Sequence, residues 1–279
     1  MRGRPNLYTS YEAETQLFQT TTKKVMLGLF LVVLVLMPFD LWVIDQIPVV
    51  RFLGDSVWLR LVNRMLIFTI GALGLHILSG LAGQLSLGHA FFGGVGAYTA
   101  VLVGGKSSAN LWGWGLPMWV WLPAAGVVAA LVGIAVAPTA VRVRGLYLGI
   151  VTLGLIFIGV HLSRVFPEIA GPGDLGRKWP RLELRLWKED SPFLDFSRDG
   201  HWLWFDVSKH QKTYFLMLGL VLLMAWFAAN LGRTRTGRAL AAIRDRDIAA
   251  EIMGVPDYRY KTTAFAISSF YAGVSGALF

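Results

Sequence analysis

The sequence predicts an all-α polytopic integral membrane protein, because apolar residues dominate it and charges are missing from long stretches. Of its 279 residues, 55% are hydrophobic and 15% are charged, whereas an ordinary soluble domain carries about 25% charged residues. Five runs without Lys, Arg, Asp or Glu cover residues 65–105, 107–141, 145–163, 213–232 and 262–279. Since a spanning helix needs about 20 mostly apolar residues, this pattern argues against a soluble globular enzyme.

About seven transmembrane helices follow from these runs. The first apolar run, residues 25–39, is followed by Asp40 rather than by a small-residue cleavage site, so it indicates an uncleaved helix that ends near Ile44. As one helix, residues 65–105 would be about 60 Å long, or about two bilayer cores. We therefore expect a turn at residues 78–89, where Gly and Ser cluster. The other expected helices cover residues 61–79, 89–104, 119–138, 145–163 and 213–231, with a last one from Lys261.

The basic residues predict a cytoplasmic amino terminus, because cytoplasmic loops carry an excess of Lys and Arg. The tail of residues 1–24, the link with Arg142 and Arg144, and residues 232–260 are rich in basic residues. These segments are expected inside, and residues 40–60, 105–116 and 164–212 outside. The net charge of +9 is thus a sign of topology, and no nucleic-acid partner is expected. The transmembrane domain would cover residues 25–279, and its end at Phe279 within an apolar run predicts a bundle truncated at the carboxyl end.

The long external loop of residues 164–212 has a possible fold of its own. Residues 181–187 alternate in polarity with period 2, which is typical of a half-buried strand. Residues 201–207 could be its partner, which would make a small folded cap. An irregular loop with two aromatic anchors is the alternative.

Residues 83–99 combine five glycines with polar side chains inside an apolar run. Polar groups at membrane depth are buried in protein or line a wet cavity, and broken helices commonly build transport sites. This pattern predicts a translocation pathway with Gln84, Ser86, His89 and Tyr98, or alternatively a tight packing seam between helices. In the fifth helix, Gly145, Gly149, Gly154 and Gly159 with Thr152 favour a packing face.

Residues 234–261 predict a short helix between two membrane spans. Thr236 would cap a helix over residues 237–253, with Gly254 at the C′ position and Pro256 as the stop. Charges surround this helix, yet Leu240, Ile243, Ile248 and Ile252 are apolar. A helix lying on lipid would segregate the two classes, so the mixture favours a groove of a partner protein. A solvated basic loop is the alternative.

No enzymatic or cofactor chemistry is expected. The five histidines lack the spacing of a metal-binding motif, and the absence of cysteine excludes disulfides, thiolate metal sites and cysteine nucleophiles.

Residues 83–99 and 236–279 resemble the permease subunits of branched-chain amino-acid ABC importers of the Liv type. A weaker resemblance, which includes the turn at residues 144–147, covers most of residues 61–163. The resemblance implies a permease subunit in the bacterial inner membrane that forms the translocation pathway and is not itself an enzyme. Its implied partners are two ATPase subunits, a second permease subunit and an extracytoplasmic substrate-binding protein.

Within residues 232–260, the run from Ala249 to Gly254 is similar to the Ala-Ala-x-x-x-Gly part of the importers' ATPase-coupling motif. Ile248 stands where that motif has an acidic residue, and Asp247 precedes it. The resemblance implies coupling to the ATPase through Arg238, Arg244, Asp245, Asp247, Glu251 and Gly254.

Residues 170–176 depart from a Thr-Gly-Gly-Pro-like turn of the family, which leaves the partner or substrate at the external loop open. A urea or short-amide permease of the same family is the main alternative. A secondary transporter or channel is disfavoured, because the membrane spans lack an acidic residue to couple an ion.

Overall fold

The computed structural model describes residues 21–39, 56–108, 111–143, 145–171, 177–185, 194–196, 200–202 and 205–279. The predicted tail up to residue 20, most of the loop of residues 40–60, Arg144 and residues 172–176 lie outside this described part. The chain divides into two compact units, residues 1–61 and residues 62–279. The features analysed below belong to the second unit.

Nine α-helices are present in the described residues, and they include one at each of the seven predicted spans. They are α1 Thr21–Leu36, α2 Ser56–Leu75, α3 His89–Gly104, α4 Met118–Arg142, α5 Leu146–Val165, α6 Pro167–Ala170, α7 Lys209–Arg233, α8 Arg235–Ile252 and α9 Asp257–Leu278. A π-helix over His76–Leu81 continues α2.

Four helical segments of the described part are long and apolar enough to cross a membrane. They are Ser56–Leu81, Met118–Thr139, Leu146–Val165 and Lys209–Arg233. The protein is therefore a helical membrane protein, as predicted.

Several predicted boundaries differ from the observed ones by about a turn or more, and two of them have a local cause. The first helix ends at Leu36 and not near Ile44, because Pro38 disfavours helical backbone at the residue before it. The last helix begins one turn earlier than Lys261, at Asp257, directly after Pro256.

In the described residues, three short antiparallel strand pairs lie outside the helices. β1 Lys106–Ser108 pairs with β2 Leu111–Trp114, β3 Glu183–Leu184 with β4 Leu194–Asp195, and β5 Gly200–Trp202 with β6 Phe205–Val207. The predicted pairing of residues 181–187 with residues 201–207 is wrong. Residues 183–184 pair with residues 194–195, and residues 200–202 pair with residues 205–207. These pairs join residues closer in sequence, and closing a short loop costs less conformational entropy than closing a long one.

The last helix, α9, packs against α3 through facing glycines. A Cβ atom at Gly96 would overlap the backbone of Gly273, and one at Gly276 would overlap the backbone of Gly93. Small residues allow two helix backbones to approach this closely. Half of the residues of α9 are buried, and they join core clusters with residues of α2, α3, α4 and α7.

Two hydrogen bonds of α9 side chains connect it to further helices. Ser275 Oγ donates to the Ile67 carbonyl of α2 at 2.9 Å. Tyr271 Oη donates to the Met224 carbonyl of α7 at 2.8 Å. Within the second unit, α9 therefore contacts α2, α3, α4 and α7.

Replacing Gly96 by Ala should lower the free energy of unfolding by about 1–3 kcal/mol, because the new methyl group overlaps α9 and forces the two helices apart. Gly94→Ala is the matched control, since nothing lies within 4 Å of a Cβ at Gly94. Thermal unfolding of the purified protein in detergent measures both effects. Equal melting temperatures for the two variants would contradict the close contact of α3 and α9.

Candidate functional site

The break between α2 and α3 is formed by residues 82–88, which we call the bend. The bend is connected to the preceding π-helix by a hydrogen bond that the Gln84 amide donates to the Leu78 carbonyl at 3.0 Å. Gly83 has a φ of +66°, a conformation that favours glycine. A Cβ atom at Gly83 would also lie 2.6 Å from Cγ of Arg244. The predicted turn at residues 78–89 is confirmed. The side chain of Arg244 from α8 packs against it at Gly83.

Thr152 of α5 holds the other end of the bend. Its Oγ1 accepts a hydrogen bond from the Leu87 amide at 3.0 Å and donates one to the Gly149 carbonyl at 2.9 Å. Thr152 is fully buried, and Gly88 packs so closely on the Thr152 carbonyl that a Cβ there would overlap it. The Thr152 hydroxyl thus provides the hydrogen-bond acceptor for the Leu87 amide, which no regular helix or sheet provides.

The predicted packing face of α5 is only partly present. A Cβ atom at Gly149 would lie 3.1 Å from the Leu85 side chain, and one at Gly159 would lie 2.8 Å from the ring of Phe91. No atom of the described residues lies within 4 Å of a Cβ at Gly145 or Gly154. Within the described part of the chain, the prediction is therefore confirmed for Gly149 and Gly159 and not for the other two glycines.

The four residues predicted for the pathway do not gather around one point. Gln84 is half-buried, and its Nε2 donates to the Ala82 carbonyl at 3.4 Å. Ser86 is buried, and its Oγ has no hydrogen-bond partner among the described residues. Tyr98 is exposed and lies nine residues along α3 from His89, or about 13 Å. Their role in a pathway stays a prediction.

His89 begins α3 and points back at α2. Its Nε2 lies 3.0 Å from the Gly71 carbonyl. A carbonyl only accepts, so this nitrogen carries the ring proton and Nδ1 is an acceptor. Nδ1 is buried and has no partner among the described residues. His89 therefore fixes the entry angle of α3 and also presents an unused acceptor inside the bundle.

A cleft of about 210 Å³ lies beside the bend, and we call it the polar cleft. It is lined by Ala82, Gly83, Gln84, Gly145, Ile243, Arg244, Asp245, Arg246, Asp247 and Lys261. These residues come from the bend, the α4–α5 link, α8 and the start of α9. The two sequence regions singled out above, residues 83–99 and 234–261, therefore meet at one place.

α8 is two helical halves joined by a break, not the single helix predicted over residues 237–253. Arg246 has φ −155° and ψ 96°, which is not helical. The cap also differs from the prediction, because Thr234 and not Thr236 accepts from the Gly237 amide, at 3.2 Å. After the break, the Asp247 carboxylate accepts from the Ile248 amide at 2.8 Å. Gly254 ends the distal half with φ +83°, as predicted.

The two halves have different surroundings. The proximal half, residues 235–245, buries Leu240 and Ile243 against the bundle. The distal half, residues 247–252, with the adjoining Met253, exposes large apolar side chains. Ile248 is 65% exposed, Ile252 81% and Met253 83%. Sequence reasoning noted the two isoleucines as apolar, but it assigned partner contacts to five charged residues and Gly254, and it missed Met253.

The charged residues predicted for coupling fall into two groups. Arg238 and Arg244 bond within the chain: Arg238 Nη1 donates to the Arg233 carbonyl at 3.0 Å, and Arg244 Nη1 to the Gly80 carbonyl at 2.8 Å. Asp245, which pairs with Arg244 at 3.1 Å, Asp247 and Glu251 lie along the break and the distal half. Their role in coupling stays a prediction.

Sequence reasoning also missed an ion pair at the start of α9. Lys261 Nζ lies 2.7 Å from Asp257 Oδ2, and the two side chains are 3% and 13% exposed. The i, i+4 spacing that allows this pair was visible in the sequence. Its burial was not, because α8 and the bend cover it from elsewhere in the chain.

Comparisons with known proteins agree with this architecture. The family described as "Branched-chain amino acid transport system / permease component" matches residues 57–279. The high-affinity branched-chain amino acid transport system permease proteins LivM of Escherichia coli (strain K12) and Salmonella typhimurium (strain LT2) are each 34% identical over 223 residues. The match covers 77% of this chain and 50% of each relative, so the chain spans about half the length of these relatives. No solved structure matches.

Replacing Lys261 by Met should lower the free energy of unfolding by about 3–5 kcal/mol, because it leaves the Asp257 carboxylate buried without its counter-charge. The double variant Asp257→Asn with Lys261→Met removes both charges and should recover most of that loss. Denaturant or thermal unfolding in detergent compares the variants. If the single variant is as stable as the unaltered protein, the pair is not buried as described.

Proposed function

Because this chain belongs to the permease family of branched-chain amino-acid transport systems, we propose that it is the membrane subunit of an ATP-binding-cassette importer for branched-chain amino acids. The observation that carries the proposal is the distal half of α8, which projects an apolar surface beside the bend. Apolar patches rimmed by polar residues mark protein or membrane interaction sites, and the charges that surround this helix favour a protein partner over lipid. The family match extends over α8 and α9 as well as over the spans.

We propose seven membrane spans with the amino terminus in the cytoplasm of a bacterial inner-membrane protein. In support, the bend, the α4–α5 link and α8 all line the polar cleft, as segments on one side of a membrane would. At the opposite helix ends, Trp119 Nε1 donates to the Arg185 carbonyl at 3.2 Å and Trp179 Nε1 to the Ala277 carbonyl at 3.2 Å. Residues 164–212 would thus form an external cap, and residues 232–260 the cytoplasmic coupling loop.

The proposed ATPase contact is the distal half of α8. Ile248, Ile252 and Met253 form its apolar centre, and Asp247 and Glu251 form a charged rim. Protein interfaces concentrate binding energy in apolar anchors surrounded by polar groups that exclude water. One such surface per permease subunit suits an assembly of two permease subunits with two ATPase subunits.

The proposed pathway uses neutral hydrogen-bonding groups. Gln84, Ser86, His89 and Tyr98 supply amide, hydroxyl and imidazole groups along the bend and α3. Buried acceptors and hydroxyl groups without partners, as at Ser86 and His89, have bonding capacity left for a passing solute or water. A second permease subunit would complete the pathway, and an external binding protein would deliver the amino acid.

Leucine uptake into proteoliposomes tests this function directly. The complete chain is reconstituted with its partner permease and ATPase subunits and supplied with the external binding protein. Uptake of radiolabelled leucine should require ATP and the binding protein together. Uptake that ignores ATP and follows an ion gradient would contradict the proposal. ATP-driven uptake of urea in place of leucine would transfer the chain to the amide branch of the family.

Ile252→Asp and Met253→Asp should each weaken ATPase binding by about 30-fold, which corresponds to an interface anchor worth about 2 kcal/mol. Ala242→Asp is the matched control, because Ala242 is exposed on the proximal half of the same helix. The affinity of the purified ATPase for permease in nanodiscs measures the effect. An Ile252→Asp variant that binds as well as the control would remove the distal half from the interface.

A further inference from the structure

Arg244 makes a long-range contact that connects α8 to the end of α2. Its Nη1 donates to the Gly80 carbonyl at 2.8 Å, across 164 residues of chain. Its aliphatic stem packs on Gly83, where a Cβ atom would lie 2.6 Å from the arginine Cγ. Both contacts are made to backbone that the break between α2 and α3 exposes.

The Gly80 carbonyl is available because α2 ends in a π-helix. The last carbonyls of a helix have no partner within it, and the Ala82 and Gln84 amides donate to the earlier carbonyls of Ile77 and Leu78. A guanidinium at a helix carboxyl end is also favoured by the helix dipole. Arg244 therefore acts as the carboxyl-terminal cap of α2, supplied from a distant part of the chain.

The same guanidinium also holds Asp245, next to the break in α8. Arg244 Nε donates to Asp245 Oδ1 at 3.1 Å, and Nη2 lies 3.1 Å from the same oxygen. The non-helical residue Arg246 follows directly. One planar guanidinium therefore connects the residues beside the break in α8 to the end of α2. A lysine ammonium, which is a point charge, would make these several hydrogen bonds less well.

The polar cleft gives the break in α8 room to move. Its roughly 210 Å³ is lined on one side by residues 243–247 and on the other by Gly83 and Gln84. The proximal half of α8 is held in the core by Leu240 and Ile243. A tilt of the distal half at Arg246 would therefore act first on the adjoining Asp245, which the Arg244 guanidinium holds.

We propose that Arg244 is a positioning residue that transmits movement of the distal half of α8 to the π-helical end of α2 and to the bend, instead of a contact to the ATPase. This inference rests on the proposed function, in which an ATPase moves the distal half. It assigns docking to Ile252 and Met253 and transmission to Arg244. The two roles are separable by experiment.

The test uses the complete transporter with Arg244→Met, and with Arg235→Met as the matched control. Arg235 is exposed on the proximal half of α8, so its loss changes the charge equally. Three quantities are measured: ATPase affinity, ATP hydrolysis, and leucine uptake per ATP hydrolysed. Arg244→Met should keep ATPase affinity within about twofold and lower uptake per ATP by at least about tenfold, as expected for the loss of a hydrogen bond from a charged group.

A spin label reports the transmission itself. This chain has no cysteine, so Ser79→Cys on the exposed side of the π-helix gives it a single labelling site. ATP should change the spectrum of this label in the otherwise unaltered transporter and in Arg235→Met. In Arg244→Met the spectrum should stay constant although ATP is still hydrolysed. Arg244→Lys, which keeps the charge and one donor, should lower uptake per ATP less than Arg244→Met does.

Three results would overturn the inference. A tenfold or greater loss of ATPase affinity in Arg244→Met would make Arg244 a docking contact. Wild-type uptake per ATP, or an ATP-dependent change at residue 79 in that variant, would remove its role in transmission. A greater loss for Arg244→Lys than for Arg244→Met would contradict the hydrogen bond. If the unaltered transporter neither binds the ATPase nor takes up leucine, the proposed function fails as well, whereas failure of Arg244→Met alone to differ leaves that function standing.

Discussion

The backbone of the bend and of the π-helix end has groups that no regular helix or strand pairs, so their hydrogen-bond partners come from elsewhere, and the arrangement around the bend follows from those partners. Thr152 of α5 accepts a hydrogen bond from the Leu87 amide, and the Leu78 carbonyl of the π-helix accepts one from the Gln84 amide. Arg244 of α8 donates one to the Gly80 carbonyl. Two of these partners come from helices far along the chain. The bend and the π-helix before it thus contact both α5 and α8, which connects the bundle to the segment that projects from it.

The close contact between α3 and α9 also connects the bundle to the region of the polar cleft. α9 approaches α3 until Gly96 meets Gly273 and Gly276 meets Gly93. At its other end it carries Lys261, which pairs with Asp257 and lines the polar cleft. α9 thus also forms one wall of the cleft beside the break in α8.

The positions of the helices could be predicted from the sequence because each depends on a local run of apolar residues. α3 begins at His89 and ends at Gly104 as expected, and the turn before it contains Gly83 at positive φ. The break in α8 could not be predicted, since residues 237–253 have good helical composition and nothing local forbids helix at Arg246. The partners of the short strands were misjudged because alternation identifies a strand without identifying its neighbour. Gly145 and Gly154 were assigned to packing because glycine spacing shows that contact is possible, not that a neighbour is there.

By itself, then, the sequence determined a helical membrane protein, the places of its helices, and the two regions, residues 83–99 and 234–261, in which polar residues interrupt apolar ones. These are properties of composition along the chain. Only the tertiary structure decided that the two regions meet at one cleft, that Arg244 turns inward to Gly80 while Ile252 and Met253 face outward, and that Lys261 is buried. The physical reason is that burial and long-range hydrogen bonds depend on how helices pack, and packing joins residues whose separation in sequence carries no record of their contact.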